Sequence, residues 1–220
     1  MDATIRDMPG VTFFSRYVDD IVVLCSHKRH DLATDSIRPV VRDLLRTKGL
    51  ALNNSKTQVY SSADPHQFRL IKILGYEFRV EMSKGIVQLD MSKRRFNRYK
   101  ERLRMTFERH ASGTGEGANT ALVSRIRLLT GNHRVAKPLG ITMMGVAFSN
   151  RSLSTVSPRL LELDRLLREH IDRATLPPHS LSRISNCSFA DGFESVRFER
   201  FRKTLIGDLG VIWKYAAKHD

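Results

Sequence analysis

Two adjacent carboxylates, Asp19 and Asp20, are the residues of this chain best placed to do chemistry. They interrupt an apolar and aromatic stretch, with Phe13, Phe14, Tyr17 and Val18 before them and Ile21 to Leu24 after them. Taking one unpaired carboxylate out of water is costly, and two side by side raise each other's pKa. Such a pair requires positive charge, and divalent cations or arginines supply it. An ordinary hairpin turn is the plainer reading, since aspartate is a common turn residue. Cys25, His27 and His30 are also metal-binding residue types, but in the charged turn Ser26-His27-Lys28-Arg29-His30 they read as solvated surface.

The elements that must position the pair follow from periodicity. Val11 to Tyr17 and Ile21 to Cys25 read as two strands of a hairpin buried in a sheet, with the turn at an edge. Ile37, Val40, Val41, Leu44 and Leu45 recur at helical spacing. Asp35 or Ser36 is the expected cap, Pro39 falls near the first turn, and Lys48-Gly49 marks the end. Residues 50–60 read as two short strands about an Asn53-Asn54-Ser55 turn. From Phe68 to Val80 the chain alternates, with Leu70, Leu74, Tyr76 and Phe78 on one face and Arg69, Glu77 and Arg79 on the other. Ser83-Lys84-Gly85 then turns it into a returning strand, 86–89.

Beyond Met91 the character changes. Ser92 caps a helix bearing Lys93, Arg94, Arg95, Arg98 and Arg102, packed through Phe96, Tyr99, Leu103 and Phe107. A loop at 112–117 leads to a second helix, about Asn119 to Leu129, with Arg125 and Arg127 and a stop at Thr130-Gly131-Asn132. Residues 151–220 read as helical: one run from Leu160 to Ile171, a break at Pro177-Pro178, and another from Phe193 to Ile206. The whole predicts an α+β fold in three parts, 1–91, 92–150 and 151–220.

Charge divides along the same line. Residues 1–91 carry 13 Lys and Arg against 11 Asp and Glu, whereas residues 92–220 carry 24 against 12. A near-neutral platform followed by a strongly basic module fits a polyanionic partner such as nucleic acid. No apolar run reaches the roughly 20 residues a bilayer span needs, and no signal-peptide pattern opens the chain. Two cysteines without a disulfide or zinc spacing fit a reducing cytoplasm.

Tyr17-Val18-Asp19-Asp20 between two apolar strands resembles the Tyr-X-Asp-Asp signature of reverse transcriptases. Gly49-Leu50, Asn53 and Lys56-Thr57 resemble the element that follows it in bacterial members, and Leu74-Gly75-Tyr76 resembles their primer-grip hairpin. Arg127 to Asn132 and Gly145 to Asn150 look like the thumb of antiphage-defence reverse transcriptases. The resemblance implies a partial polymerase palm of antiparallel hairpins with a packed helix, then a basic α-helical thumb and a helical C-terminal extension. It implies RNA-directed DNA synthesis from deoxynucleoside triphosphates on a primer.

By that resemblance Asp19 and Asp20 hold two magnesium ions, Lys56 acts as general acid, Tyr17 and Val18 line the primer terminus, and Leu74, Gly75 and Tyr76 seat the primer. Lys93, Arg94, Arg95, Arg98, Arg102, Arg125 and Arg127 are the expected contacts to the RNA template and DNA product. The family's fingers and third catalytic aspartate lie upstream of the signature. Asp2 and Asp7 do not supply the latter, so an upstream segment or partner subunit is expected. The rival reading is a non-catalytic nucleic-acid- or partner-binding subunit.

Overall fold

The computed structural model describes residues 1–26, 34–60, 68–81, 84–137 and 140–200. Their elements form an α+β protein with small sheets. Two compact units emerge: one of Met1–Leu74 and Arg79–Val87, the other of Gly75–Phe78 and the chain from Gln88 onward. Among the described residues no helix is long and apolar enough to cross a membrane.

The first unit is built from α1 (Asp2–Arg6), β1 (Val11–Tyr17), β2 (Asp20–Cys25) and α2 (Thr34–Arg46). β1 and β2 pair antiparallel as a two-stranded sheet, with Phe14 opposite Val23 and Arg16 opposite Ile21. Because side chains alternate across a strand, Phe14, Ile21 and Val23 pack on the core of Ile5, Ile37, Val41 and Leu45. The other face leaves Phe13, Tyr17 and Leu24 exposed. The hairpin is therefore covered on one side only, not buried in a wider sheet as its apolar composition suggests.

The first residues belong to the same unit: Ile5 is fully buried and Asp2 pairs with Arg16 at 3.0 Å. Two further expectations change here. Asp35 and Ser36 lie inside α2, as does Pro39, where a proline removes one i to i−4 bond. Residues 50–60 form no strand. The Asn53 side chain supplies the missing partners instead, its Oδ1 accepting from Ser55 N at 3.1 Å, Ser55 Oγ at 2.8 Å and Lys56 N at 3.3 Å. An Asx-turn of this kind competes directly with strand pairing.

β3 (Phe68–Ile73), β4 (Tyr76–Glu81) and β5 (Ile86–Met91) form a sheet in that order, and the division between units runs through it. The alternating run 68–80 is thus two strands, broken at Leu74-Gly75.

The second unit continues with α3 (Lys93–Ala111), α4 (Gly115–Thr130), β6 (Asn132–Lys137), β7 (Gly140–Gly145), α5 (Val146–Ser149), α6 (Pro158–Arg173), α7 (Pro178–Ile184), α8 (Phe189–Glu194) and β8 (Glu199–Arg200). Ser92 caps α3 as expected, its hydroxyl accepting from Arg95 N at 3.2 Å. α4 starts earlier than predicted, so the loop before it shrinks to residues 112–114. One core runs from Tyr76 and Met91 through Leu103, Ile126 and Leu163 to Phe189, so residues expected in the thumb and in the C-terminal extension share a single interior. Two corrections follow: 132–137 and 140–145 are paired antiparallel strands, not helical, and the chain leaves the helix at Ser195, with β8 pairing parallel to β6. Residues 201–206 of the last expected helix lie outside the described residues, as do His27 and His30.

Candidate functional site

The hairpin tip is set by register. Tyr17 pairs with Asp20, leaving Val18 and Asp19 as the two-residue connection. Val18 has φ of 53°, and Asp19 is not in the positive-φ region. Positive φ at the first central residue alone is the II′ pattern, a position that favours glycine. For a β-branched residue this region is a true outlier, costing about 1–2 kcal/mol. The tip is open to solvent, with Tyr17 64% and Val18 74% exposed, and Asp19 and Asp20 are exposed as well. Desolvation is therefore not what distinguishes the aspartates, contrary to the sequence expectation. What distinguishes them is a strained backbone beside them.

Two exposed carboxylates on one turn suit magnesium in part. That ion is held by one or two protein carboxylates and completes its shell with water and phosphate oxygens. Among the described residues no three His, Cys, Asp or Glu side chains come together as a metal site. Lys56 belongs to the same unit, on the Asn53 turn, which is tied to α2 by Arg38 Nη2 donating to Asn54 Oδ1 at 3.1 Å. Its side chain is exposed, and among the described residues no ion pair joins it to Asp19 or Asp20.

The second cluster surrounds Leu74-Gly75. Both residues have positive φ, 50° and 79°, the I′ pattern of a two-residue hairpin connection. A Cβ on Gly75 would also lie 2.6 Å from Arg95 Nη2, so glycine admits a guanidinium as well as the turn. Arg95 stacks over the Tyr76 ring at 4.4 Å and donates through Nη1 to Ser149 O at 2.9 Å and Asn150 Oδ1 at 3.3 Å. Tyr76 donates to the same Ser149 carbonyl at 3.3 Å. Leu-Gly-Tyr and the Gly145 to Asn150 stretch, far apart in sequence, thus meet through one arginine.

The Arg127 to Asn132 stretch joins them. Asn132 is buried, accepts at Oδ1 from Ala147 N at 2.9 Å, and donates through Nδ2 to Gly192 O at 2.7 Å and Ser195 O at 3.1 Å. Three of its bonding sites are filled by elements that no local pattern connects.

The cations do not form one open face. Lys93 and Arg94 are exposed at the start of α3, while Arg95, Arg98 and Arg102 are half-buried. Burial pulls Arg102 down to about 10, with the like charge of Arg98 acting in the same direction. Arg127 is exposed and pairs with Glu199 at 3.4 Å. Arg125 is buried on the packed side of α4. Glu77, which alternation places on the face opposite Tyr76 and Phe78, is buried: it accepts from Lys93 N at 2.9 Å, capping α3, and pairs with Arg159 at 2.6 Å. A carboxylate at a helix N-terminus is favoured by the helix dipole, and the Glu77 position 16 residues before that terminus hides this from sequence.

Comparison with protein-family models, curated proteins and solved structures gave no match to this chain.

Proposed function

We propose that this chain is the C-terminal palm and thumb portion of an RNA-directed DNA polymerase, adding deoxynucleotides to a primer by magnesium-dependent nucleotidyl transfer. The observation that carries the reading is the strained tip, where Tyr17-Val18-Asp19-Asp20 spans a two-residue turn with Val18 at φ 53°. Strain of this kind persists where the surroundings dictate it and clusters at functional turns. The junction of Leu74-Gly75-Tyr76 with Ser149-Asn150 through Arg95 adds support.

Asp19 and Asp20 would hold magnesium, which when bound offsets charge on the attacking and leaving oxygens. The chain's own residues do the rest. Exposed Tyr17 and Val18 offer a surface to the last nucleotide of a strand. Lys56 presents a cation and a proton donor to a departing phosphate. Leu74, Gly75 and Tyr76 receive the primer backbone. Lys93 and Arg94 meet duplex phosphates, which fixes position without reading sequence. An RNA template and an upstream fingers and palm segment, or a partner subunit, complete the assembly.

A second reading, a nucleic-acid-binding subunit without catalysis, is favoured by the two-carboxylate tip, since no third metal-ligating group joins it among the described residues. Manganese(II), a paramagnetic stand-in for magnesium, separates the two when titrated into the chain with a primer–template duplex. The polymerase reading expects uptake that Asp19→Asn and Asp20→Asn each weaken at least about tenfold, the loss of one charged ligand. Lys93→Gln with Arg94→Gln should lower the salt slope of duplex binding by about 2. Absence of cation uptake at the tip removes the polymerase reading. Retained salt-dependent duplex binding in that case leaves the subunit reading standing.

A further inference from the structure

Within the second unit, β7, β6 and β8 lie side by side in that order, and the two faces of their sheet are unlike. On one, His133 Nε2 lies 3.2 Å from the Arg127 carbonyl of α4 and Glu199 pairs with the Arg127 side chain, so that face looks onto α4. Side chains alternate across a strand. Arg134 and Arg200 therefore fall on the opposite face, where the register sets them directly side by side. Both are exposed, and among the described residues neither side chain has an ion-pair or hydrogen-bond partner. The same face carries Met143 opposite Arg134, and Ile141 opposite Ala136. Ile141 is 69% exposed and Met143 is half-buried.

Like charges directly opposite one another destabilise a sheet. A charge on an outer strand discourages edge-to-edge pairing, which accounts for Arg200 on β8. Arg134 sits on the middle strand and serves no such purpose, so the pair calls for an anion. That anion must supply two charges in a row and something apolar for Ile141. A nucleic-acid strand with its bases unstacked does both. Successive phosphates suit two forked guanidiniums, and the flat face of a base suits an aliphatic side chain and a thioether. A duplex keeps its bases stacked inside and meets a protein largely through phosphate and sugar, which leaves Ile141 uncovered. An acidic peptide brings carboxylates without a flat apolar group beside each. We propose that the outer face of this sheet binds single-stranded nucleic acid, with Arg134 and Arg200 on successive phosphates and a base against Ile141 and Met143. The site uses neither the hairpin tip, nor a metal, nor the cations of α3, so it stands apart from the polymerase reading.

The test uses the full chain in EDTA, which keeps any metal from the tip, and follows a labelled oligothymidylate by fluorescence anisotropy across a salt series. Arg134→Gln with Arg200→Gln should lower the salt slope by about 1.4, two phosphate contacts at the single-strand value. Arg173→Gln with Arg183→Gln, the same charge change at exposed arginines of α6 and α7, should leave the slope where it is. Ile141→Ser should weaken binding about five- to tenfold at every salt concentration, the worth of covering an exposed aliphatic side chain, without altering the slope or the affinity for duplex. Crosslinking of the wild-type chain to a strand carrying 4-thiothymidine should place adducts on β6 or β7, and this decides even where a variant fails to fold. Equal loss of slope in the two double variants overturns the proposal, and so do adducts that avoid both strands. Polyglutamate displacing the strand as well as unlabelled oligothymidylate does would assign the face to acidic peptides and overturn it too.

Discussion

Replacing Val18 by glycine should be nearly harmless, although removing a valine from a strand hairpin ordinarily is not. At φ 53° the valine carries about 1–2 kcal/mol of left-handed strain, which glycine releases. Against this, glycine's freer unfolded backbone costs about 0.4–1 kcal/mol. The side chain is 74% exposed, so only about a quarter of the ~1.5–3 kcal/mol of a buried valine is forfeited. The three contributions cancel to within about 1 kcal/mol of zero. Val22→Gly is the internal control: Val22 sits half-buried in β2 opposite Ser15, on regular strand backbone, with no strain to release. It should cost about 2 kcal/mol from lost burial and strand propensity. Hydrogen exchange of the β1 and β2 amides reads both, because it follows opening of this hairpin separately from the second unit. Equal destabilisation by the two substitutions would show that Val18 carries no strain, and the argument from the tip would fall with it.

Two further outcomes concern the second unit. Glu77→Gln breaks a pair whose side chains are 7% and 24% exposed and sets an amide against Arg159; denaturant unfolding should show a loss of about 2–3 kcal/mol, reduced from a fully buried pair by the partial exposure of Arg159. Adding Arg159→Met should recover part of it, and no recovery would deny the coupling. Burial pulls the His133 imidazole below its ordinary value, as burial and Arg173 do for His170. The unfolded chain therefore takes up protons first, so stability is full above about pH 6.5 and declines as pH falls through the folded-state values. Melting temperatures from pH 8 to 5 should show the decline, and His133→Gln should flatten it in part.

The sequence declares elements whose pattern is local. Phe96, Tyr99, Leu103 and Phe107 all end buried on α3, and Leu160, Leu163, Leu167 and Ile171 do the same on α6, because a 3.6-residue period needs no distant partner to be read. The alternation from Phe68 to Val80 misleads for a physical reason. A two-residue connection preserves the parity of a two-residue period, so Leu74 and Tyr76 continue the pattern straight through a turn. Alternation alone gives no reason to bury Glu77, because Arg159, which pairs with it, comes from α6. The run after Phe193 has helical spacing, yet the chain leaves α8 at Ser195, where Asn132 takes the carbonyl and β6 offers β8 an edge. Of the site, the tip residues and their turn were legible. The Arg95 junction and the half-burial of three arginines were not, since both depend on which helix lies opposite α3.

Asn132 also dictates an order of events during synthesis. Each of its partners comes later in the chain, the farthest bonds reaching Gly192 and Ser195, 60 and 63 residues on. While a nascent chain is still short of that point, α3, α4 and α6 already have one another to pack on, but the amide of Asn132 is still hydrated. The last step of closure therefore waits for α8, and a premature stop ahead of Gly192 leaves that amide without the two carbonyls that anchor it.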